Sequence, residues 1–248
     1  MPELAANSPS PLPDKTAIKP AYRVVTEALR RRIDAGDLRL GDALPIEHDL
    51  AAHFGVHRST VREGLRQLEQ DGWVRRDGKR LVVTVPRHSD LASRAERTLR
   101  LQQVSLLDVY QVALVMEPQA AALAALAATE AECQAMADNL QANRALLGTG
   151  ASPVTVGMAF QALVAQASHN QVLLLGREPV ARLMHAGFEA IADHLPQACQ
   201  RQLDAHTQVY EAICARDATA AEHAMRRHIL DYRRGCEAAG LNMNAPLA

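Results

Sequence analysis

Apolar positions recur at steps of three and four residues through most of the chain. From Ala21, the residues Val24, Val25, Ala28, Leu29 and Ile33 keep that spacing with Arg30, Arg31 and Arg32 between them, which predicts an amphipathic helix ended by Gly36. Leu38, Leu40, Gly41 and Pro45 read as an extended connector. A short helix follows from Ile46 to about Phe54 and buries Leu50 and Ala51. Gly55 breaks the chain, and a third helix starts near Ser59, sets Val61, Leu65 and Leu68 on its apolar side and ends at Asp71-Gly72. The period then shortens. Trp73-Val74 and Leu81-Val82-Val83 flank Arg75-Arg76-Asp77-Gly78-Lys79-Arg80, and Asp-Gly between apolar runs predicts a hairpin. Trp73 is expected to plug the core beneath that hairpin rather than stack on a ligand. Helix, short helix, glycine turn, helix and hairpin, in that order, predict a winged helix-turn-helix over 18–85.

Beyond a linker at Pro86 to about Ser89 the strand signal disappears. Amphipathic stretches follow near 91–100, 106–127, 129–147, 154–168, 172–192, 198–215 and 218–236. Thr129 with Glu132 makes a capping box, Ser152-Pro153 marks a helix start, and Pro196 marks a break. The predicted fold is mainly α: a winged helix-turn-helix followed by an all-helical bundle of six or seven helices over 101–236. A loose tail is expected over 1–17, a linker and connecting helix over 86–100, and a second tail over 237–248.

Composition narrows the function classes. At 248 residues, 48% hydrophobic and 22% charged, the chain can bury two cores, which excludes disorder and collagen-like structure. No run approaches ~18 uncharged apolar residues and no signal-peptide pattern opens the chain, so a cytoplasmic protein without a membrane partner is expected. Cys133, Cys199, Cys214 and Cys236 are widely spaced without a CxxC pair, which points away from a disulfide framework or zinc knuckle. The net charge of −1 hides an asymmetry: 57–87 carries eight basic residues against four acids, a local +4. A basic segment in a near-neutral chain suits a nucleic-acid contact.

The chemistry for such a contact lies in Gly55-Val56-His57-Arg58-Ser59-Thr60-Val61-Arg62-Glu63. Arg58 and Arg62 stand one turn apart on the face opposite Val61 and Leu65, where a guanidinium can bond the O6 and N7 of guanine in a major groove. Ser59 and Thr60 are expected to cap the helix and donate to phosphate, with His57 just before the cap. The bland alternative is a solvated face in which these arginines pair with Glu63 or Glu69. The tip Gly78-Lys79-Arg80 is short enough to enter a minor groove, the alternative being an ordinary hairpin end.

With those residues in view, the stretch Leu29-x3-Ile33-x2-Gly36-x-Leu38-x2-Gly41-x2-Leu44-Pro45-x-Glu47-x2-Leu50-Ala51, then Gly55 to Leu65 and Leu68-x3-Gly72, resembles the DNA-binding domain of the GntR family of bacterial transcription regulators. Leu40 replaces the usual proline before Gly41, and His48 stands where an arginine commonly reaches DNA. The helical part resembles the FCD effector domain of the FadR subfamily through Met116-Glu117-Pro118, Ser168-His169-Asn170, His206-x4-Glu211-Ala212-Ile213 and Asp217-x3-Ala221-x6-His228. The resemblance implies a homodimer on a palindromic double-stranded DNA operator, regulating transcription and commonly repressing it, with a small metabolite bound in the helical domain.

Many such domains hold a divalent metal on one Asp and three His. Here His206 and His228 match, while Gly157 and Gln161 stand in place of the other two, and the substrate-gripping arginine aligns with Ala113. Two imidazoles make a poor site, so no metal is expected unless His169 or His185 substitutes. His206 and His228 then serve as effector contacts or as hydrogen-bonded core histidines. The expected effector is uncharged or largely apolar, or an acyl thioester as in the metal-free FadR branch. An enzyme is not expected: GxSxG, HExxH, P-loop and GxGxxG patterns are absent, and the three lysines (Lys15, Lys19, Lys79) lie outside the helical part. The alternative function is a ligand-independent dimeric DNA-binding protein with a vestigial pocket.

Overall fold

The computed structural model describes residues 20–85, 88–195 and 197–247, which fall into two compact units divided between Arg87 and His88. The tail expected over 1–17, Pro86 of the linker and the break at Pro196 lie outside the described residues.

The first unit contains α1 (Ala21–Asp34), α2 (Glu47–Phe54), α3 (Arg58–Gln70), β1 (Val74–Asp77) and β2 (Arg80–Val83). Its core draws on the residues foreseen from periodicity, with Val25, Leu29, Leu50, Val61, Leu65, Leu68 and Val74 buried together, while Val24, placed on the same stripe, is exposed. α1 crosses α3 closely because Gly64 has no side chain: a Cβ there would stand 3.0 Å from the Tyr22 carbonyl oxygen. Thr26 uses that proximity, its hydroxyl donating to the Gly64 carbonyl at 3.2 Å. Gly55 closes α2 with φ of 64°, a left-handed conformation that costs an L side chain but not glycine. β1 and β2 pair antiparallel with Val74 opposite Val83 and Asp77 opposite Arg80. The connector adds a third edge: Gly41 N–H donates to Val83 and Leu44 N–H to Leu81, at 3.0 and 2.8 Å. Trp73 is half-buried against this core, with the Arg30 guanidinium 4.9 Å from its ring centre.

The second unit is all helix among its described residues: α4 (His88–Leu101), α5 (Leu106–Ala127), α6 (Glu130–Leu146), α7 (Val154–Ala167), α8 (Gln171–His194), α9 (Ala198–Cys214) and α10 (Ala218–Ala238). Capping boxes start α5 (Ser105 with Asp108) and α6 (Thr129 with Glu132), each pairing a hydroxyl and a carboxylate with backbone N–H groups otherwise left open. α5 is long and apolar enough to cross a membrane by length and composition, but half of that stretch is buried inside the bundle. Leu106 packs near Gly187, and Glu117 bonds Arg177, so α5 and α8 run antiparallel.

The tail expected at 237–248 takes a different form over its described residues. α10 continues to Ala238, and the chain then returns along the start of α5. Leu107 N–H donates to the Met243 carbonyl at 2.8 Å, and Leu247 N–H to Val104 at 2.9 Å. Met243 is buried in the bundle, and burying an apolar side chain of this size outweighs the freedom of a loose end.

Candidate functional site

In the first unit, α3 opens on His57, whose extended backbone makes it the N-cap without a side-chain cap bond. Ser59 and Thr60 are therefore not the caps that the sequence pattern predicts. They lie inside the first turn, where Thr60 N–H already donates to the His57 carbonyl at 3.0 Å. With no side chain closing this end, the first N–H groups of α3 face outward with the positive pole of the helix. Arg58 is the first helical residue and is exposed.

Arg62 is exposed but engaged: Nε and Nη2 donate to the two carboxylate oxygens of Glu47 on α2, at 3.1 and 2.8 Å. This fork holds the Glu47 carboxyl below its usual pKa, chiefly through the hydrogen bonds from Arg62. The acids suspected as partners go elsewhere, Glu63 to Arg66 at 3.1 Å and Glu69 to Arg76 at 3.9 Å.

Between the start of α2, the start of α3 and the hairpin lies a groove of about 680 Å³, solvent at its mouth included. His48, Arg58, Lys79 and Arg80, all singled out in the sequence, line it together with Arg76 and Glu47, which were not. Gly78, at φ of 58°, begins the two-residue turn Gly78-Lys79 at the hairpin tip, and no atom lies within 4 Å of where its Cβ would be. Four cations against one carboxylate thus surround the open end of α3, an arrangement suited to a polyanion.

In the second unit, His206 of α9 and His228 of α10 meet in the core, Nε2 to Nε2 at 3.2 Å, and the Gln161 amide nitrogen of α7 reaches the same His228 atom at 3.1 Å. Gln161 Nε2 can only donate, so His228 Nε2 is the bare, accepting nitrogen, and its one lone pair faces both Gln161 and His206 Nε2. Burial drives both rings toward the neutral form, His228 down to about 4 and His206 well below its ordinary value. Phe160 stacks on His206 with ring centres 4.5 Å apart.

Asn143 of α6 and Gln202 of α9 join this cluster, and neither was foreseen. They crowd Gly157, where an added Cβ would meet the Gln202 carboxamide and stand 3.2 Å from Asn143 Nδ2. Among the buried atoms of the described residues, both amide atoms of Asn143, Gln202 Nε2 and His206 Nδ1 have no hydrogen-bond partner. Their sequence signal was faint: an amide at a mid-helix position that the apolar stripe would otherwise claim.

Ala113 is fully buried and brings no polar group. The buried cation here is Arg177 of α8, which meets Glu117, one turn beyond Ala113 on α5, at 2.8 Å. His169 and His185, considered as substitute ligands, are placed apart from the cluster. His169 Nε2 bonds the Glu132 carboxylate at 3.0 Å, and His185 lies 3.7 Å from Glu189 on α8.

Residues 21–83 match the family described as bacterial regulatory proteins, gntR family, and residues 108–231 match the FCD domain. The chain belongs to the gntR family. It is a DNA-binding transcription regulator with an FCD domain, as in the FadR subfamily. It is 29% identical over 227 residues to the Glc operon transcriptional activator of Escherichia coli K12, covering 85% of this chain and 87% of that protein. It is 26% identical over 219 residues to the repressor NanR of Cronobacter sakazakii, covering 86% and 84%. A solved GntR structure from Streptococcus agalactiae superposes with a TM-score of 0.57 at 21% identity, over 86% of this chain and 99% of that one, which shows the shared fold. These gntR-family relatives are regulators rather than enzymes.

The metal implied by the FCD resemblance does not suit the residues present. Among the described residues no three His, Cys, Asp or Glu side chains converge. Two imidazoles and an amide supply no negative charge, and the Gln202 carboxamide fills the space beside Gly157, where the resemblance expects an aspartate.

Proposed function

We propose that this regulator binds a palindromic operator as a homodimer, represses by occupying it, and is released by a small metabolite held in the FCD domain. The observation that carries the DNA part is the basic groove of His48, Arg58, Arg76, Lys79 and Arg80 around the open end of α3. In this reading α3 enters the major groove, Arg58 and Arg62 read guanine, His57, Ser59 and Thr60 bond phosphates, and Gly78-Lys79-Arg80 follows the minor groove. Matched relatives named as repressors, NanR, MngR and PhnF, support repression.

Dimerisation is supported by the outer face of α5. Val112, Val115, Gln119, Ala122 and Leu126 repeat at steps of three and four; Val115 and Leu126 are 71% and 70% exposed. Val172 and Leu175, near the start of the antiparallel α8, are exposed as well. The unpaired polar atoms around His206 favour a ligand-responsive domain over a vestigial pocket, because a discarded site has no reason to keep that cost.

Selection of duplexes from a random pool by the full-length protein tests the reading. A recovered sequence with two-fold symmetry and a dimeric mass in light scattering are expected. Binding no more salt-sensitive or selective than that of an unrelated protein overturns it.

A further inference from the structure

Four polar atoms lie buried and unpaired within one cluster: Asn143 Oδ1 and Nδ2, Gln202 Nε2 and His206 Nδ1. Folded proteins seldom leave such atoms unmatched, and here α6 and α9 contribute them beside Gly157, whose missing side chain lets the Gln202 and Asn143 amides approach its backbone. Gln202 and His228 also line a small adjoining cavity walled by Phe188, Ile191 and Tyr232.

We propose that this cluster binds a small, uncharged metabolite bearing hydroxyl or amide groups, without a metal. The proposal rests on the effector reading above and names the ligand class of that site. The signs of the unpaired amide atoms carry it. Asn143 Nδ2 and Gln202 Nε2 require acceptors, Asn143 Oδ1 requires a donor, and His206 Nδ1 requires a partner of either sign according to its tautomer. A carboxylate ligand would serve the two donors and set its charge against the Asn143 Oδ1 lone pairs. A metal ion would serve the lone pairs and repel the two amide N–H groups. An acyl chain would serve none of the four. A hydroxyl or a carboxamide both donates and accepts, so among ligand groups it answers the set as water would.

Apart from the two histidines the cluster holds only amides. The nearest ion pair on the cavity wall, Arg201 with Asp231 at 3.6 Å, is half-exposed and self-neutralising. That narrows the sequence expectation of an uncharged or apolar effector to its polar half.

The test uses the full-length protein, erythritol and xylitol as probes, and erythronate, xylonate and zinc chloride as their charged counterparts. A saturable rise in melting temperature of about 3 °C or more at tenfold excess over Kd is expected with at least one polyol. That rise should vanish in Asn143→Leu and in Gln202→Met, while both variants melt at or above the unliganded wild type because unpaired polar atoms have been removed. Larger stabilisation by a carboxylate or by zinc overturns the proposal. So does the absence of any polyol effect, or a melting point several degrees lower in both variants, since the amides then serve the fold through water alone. Gel shifts on the selected operator run in parallel: if wild type binds no duplex the regulator reading fails, whereas intact DNA binding with a charged ligand sinks only the ligand class.

Discussion

Arg62 of α3 grips Glu47 of α2 through a two-pronged hydrogen bond, 3.1 Å from Nε and 2.8 Å from Nη2. The pair is largely exposed, so its worth to stability is small, about 0–1 kcal/mol. Its consequence concerns DNA. In the docking proposed above, Arg62 trades this carboxylate for a base edge on binding. Arg62→Ala should weaken operator binding by about 1–3 kcal/mol and relax selectivity at one position. Glu47→Gln should strengthen binding to non-operator DNA at low salt and reduce discrimination. Competition gel shifts check both; operator binding by Arg62→Ala equal to wild type would refute the docking.

Arg80 and Lys79 sit at the wing tip, where a contact to phosphate carries no sequence information. Arg80→Ala should lower affinity for all duplexes alike and flatten the dependence of log K on log salt by about one unit. A salt titration of the variant on operator and scrambled DNA reads this directly.

Gly64 is the contact point between α1 and α3, with the Tyr22 carbonyl oxygen 3.0 Å and Val25 Cβ 3.3 Å from the place of a Cβ. Backbone on the opposing helix cannot step aside as a flexible side chain would. Gly64→Ala should cost about 1–3 kcal/mol in the winged unit through overpacking. Chemical denaturation followed through Trp73 fluorescence would register it, since the single tryptophan lies in that unit.

His206 and His228 set an acid limit. Burial lowers His228 to about 4 from 6.5, so between those values the unfolded chain binds a proton that the folded one refuses. Stability therefore begins to fall as pH drops below 6.5 and the His228 loss is complete near 4; His206, also lowered by burial and by its neighbour His228, acts in the same direction. For His228 the loss is on the order of 3 kcal/mol. His228→Gln should flatten the melting temperature against pH across that window, and an unchanged slope would remove the histidine from the account.

Glu117 and Arg177 form an ion pair that is almost wholly buried, with Glu117 Oε2 and Arg177 Nη2 lacking partners of their own. Removing one partner strands a charge in the core. Glu117→Ala should cost about 3–5 kcal/mol, whereas the apolar double variant Glu117→Leu with Arg177→Met should recover most of that loss. Urea unfolding of the three proteins separates the two cases.

Most of the architecture was legible in the chain. The seven helices described in the second unit follow the stripes read from spacing, and the Thr129–Glu132 box stands where its hydroxyl and carboxylate lie three residues apart. The hairpin was visible in Asp77-Gly78, because only a short turn with a residue at positive φ joins two such strands. Ser59 and Thr60 misled as caps because the capping residue is chosen by where the extended chain enters the helix, and that entry falls at His57. The C-terminal stretch was missed because Met243 and Leu247 show no period. Their burial depends on the groove beside α5 that they happen to meet.

Local order along the chain determined which residues would be helix, which would be wing, and which arginines would lie at the start of α3, since those follow from spacing, caps and turns within a few residues. Only the tertiary structure decided that Arg62 answers to Glu47, that Arg177 is neutralised by Glu117, and that the Asn143 and Gln202 amides, far apart in the chain, meet at Gly157. The physical reason is distance: partners separated by 15, 60 and more residues are chosen by how helices pack, and no local pattern encodes that.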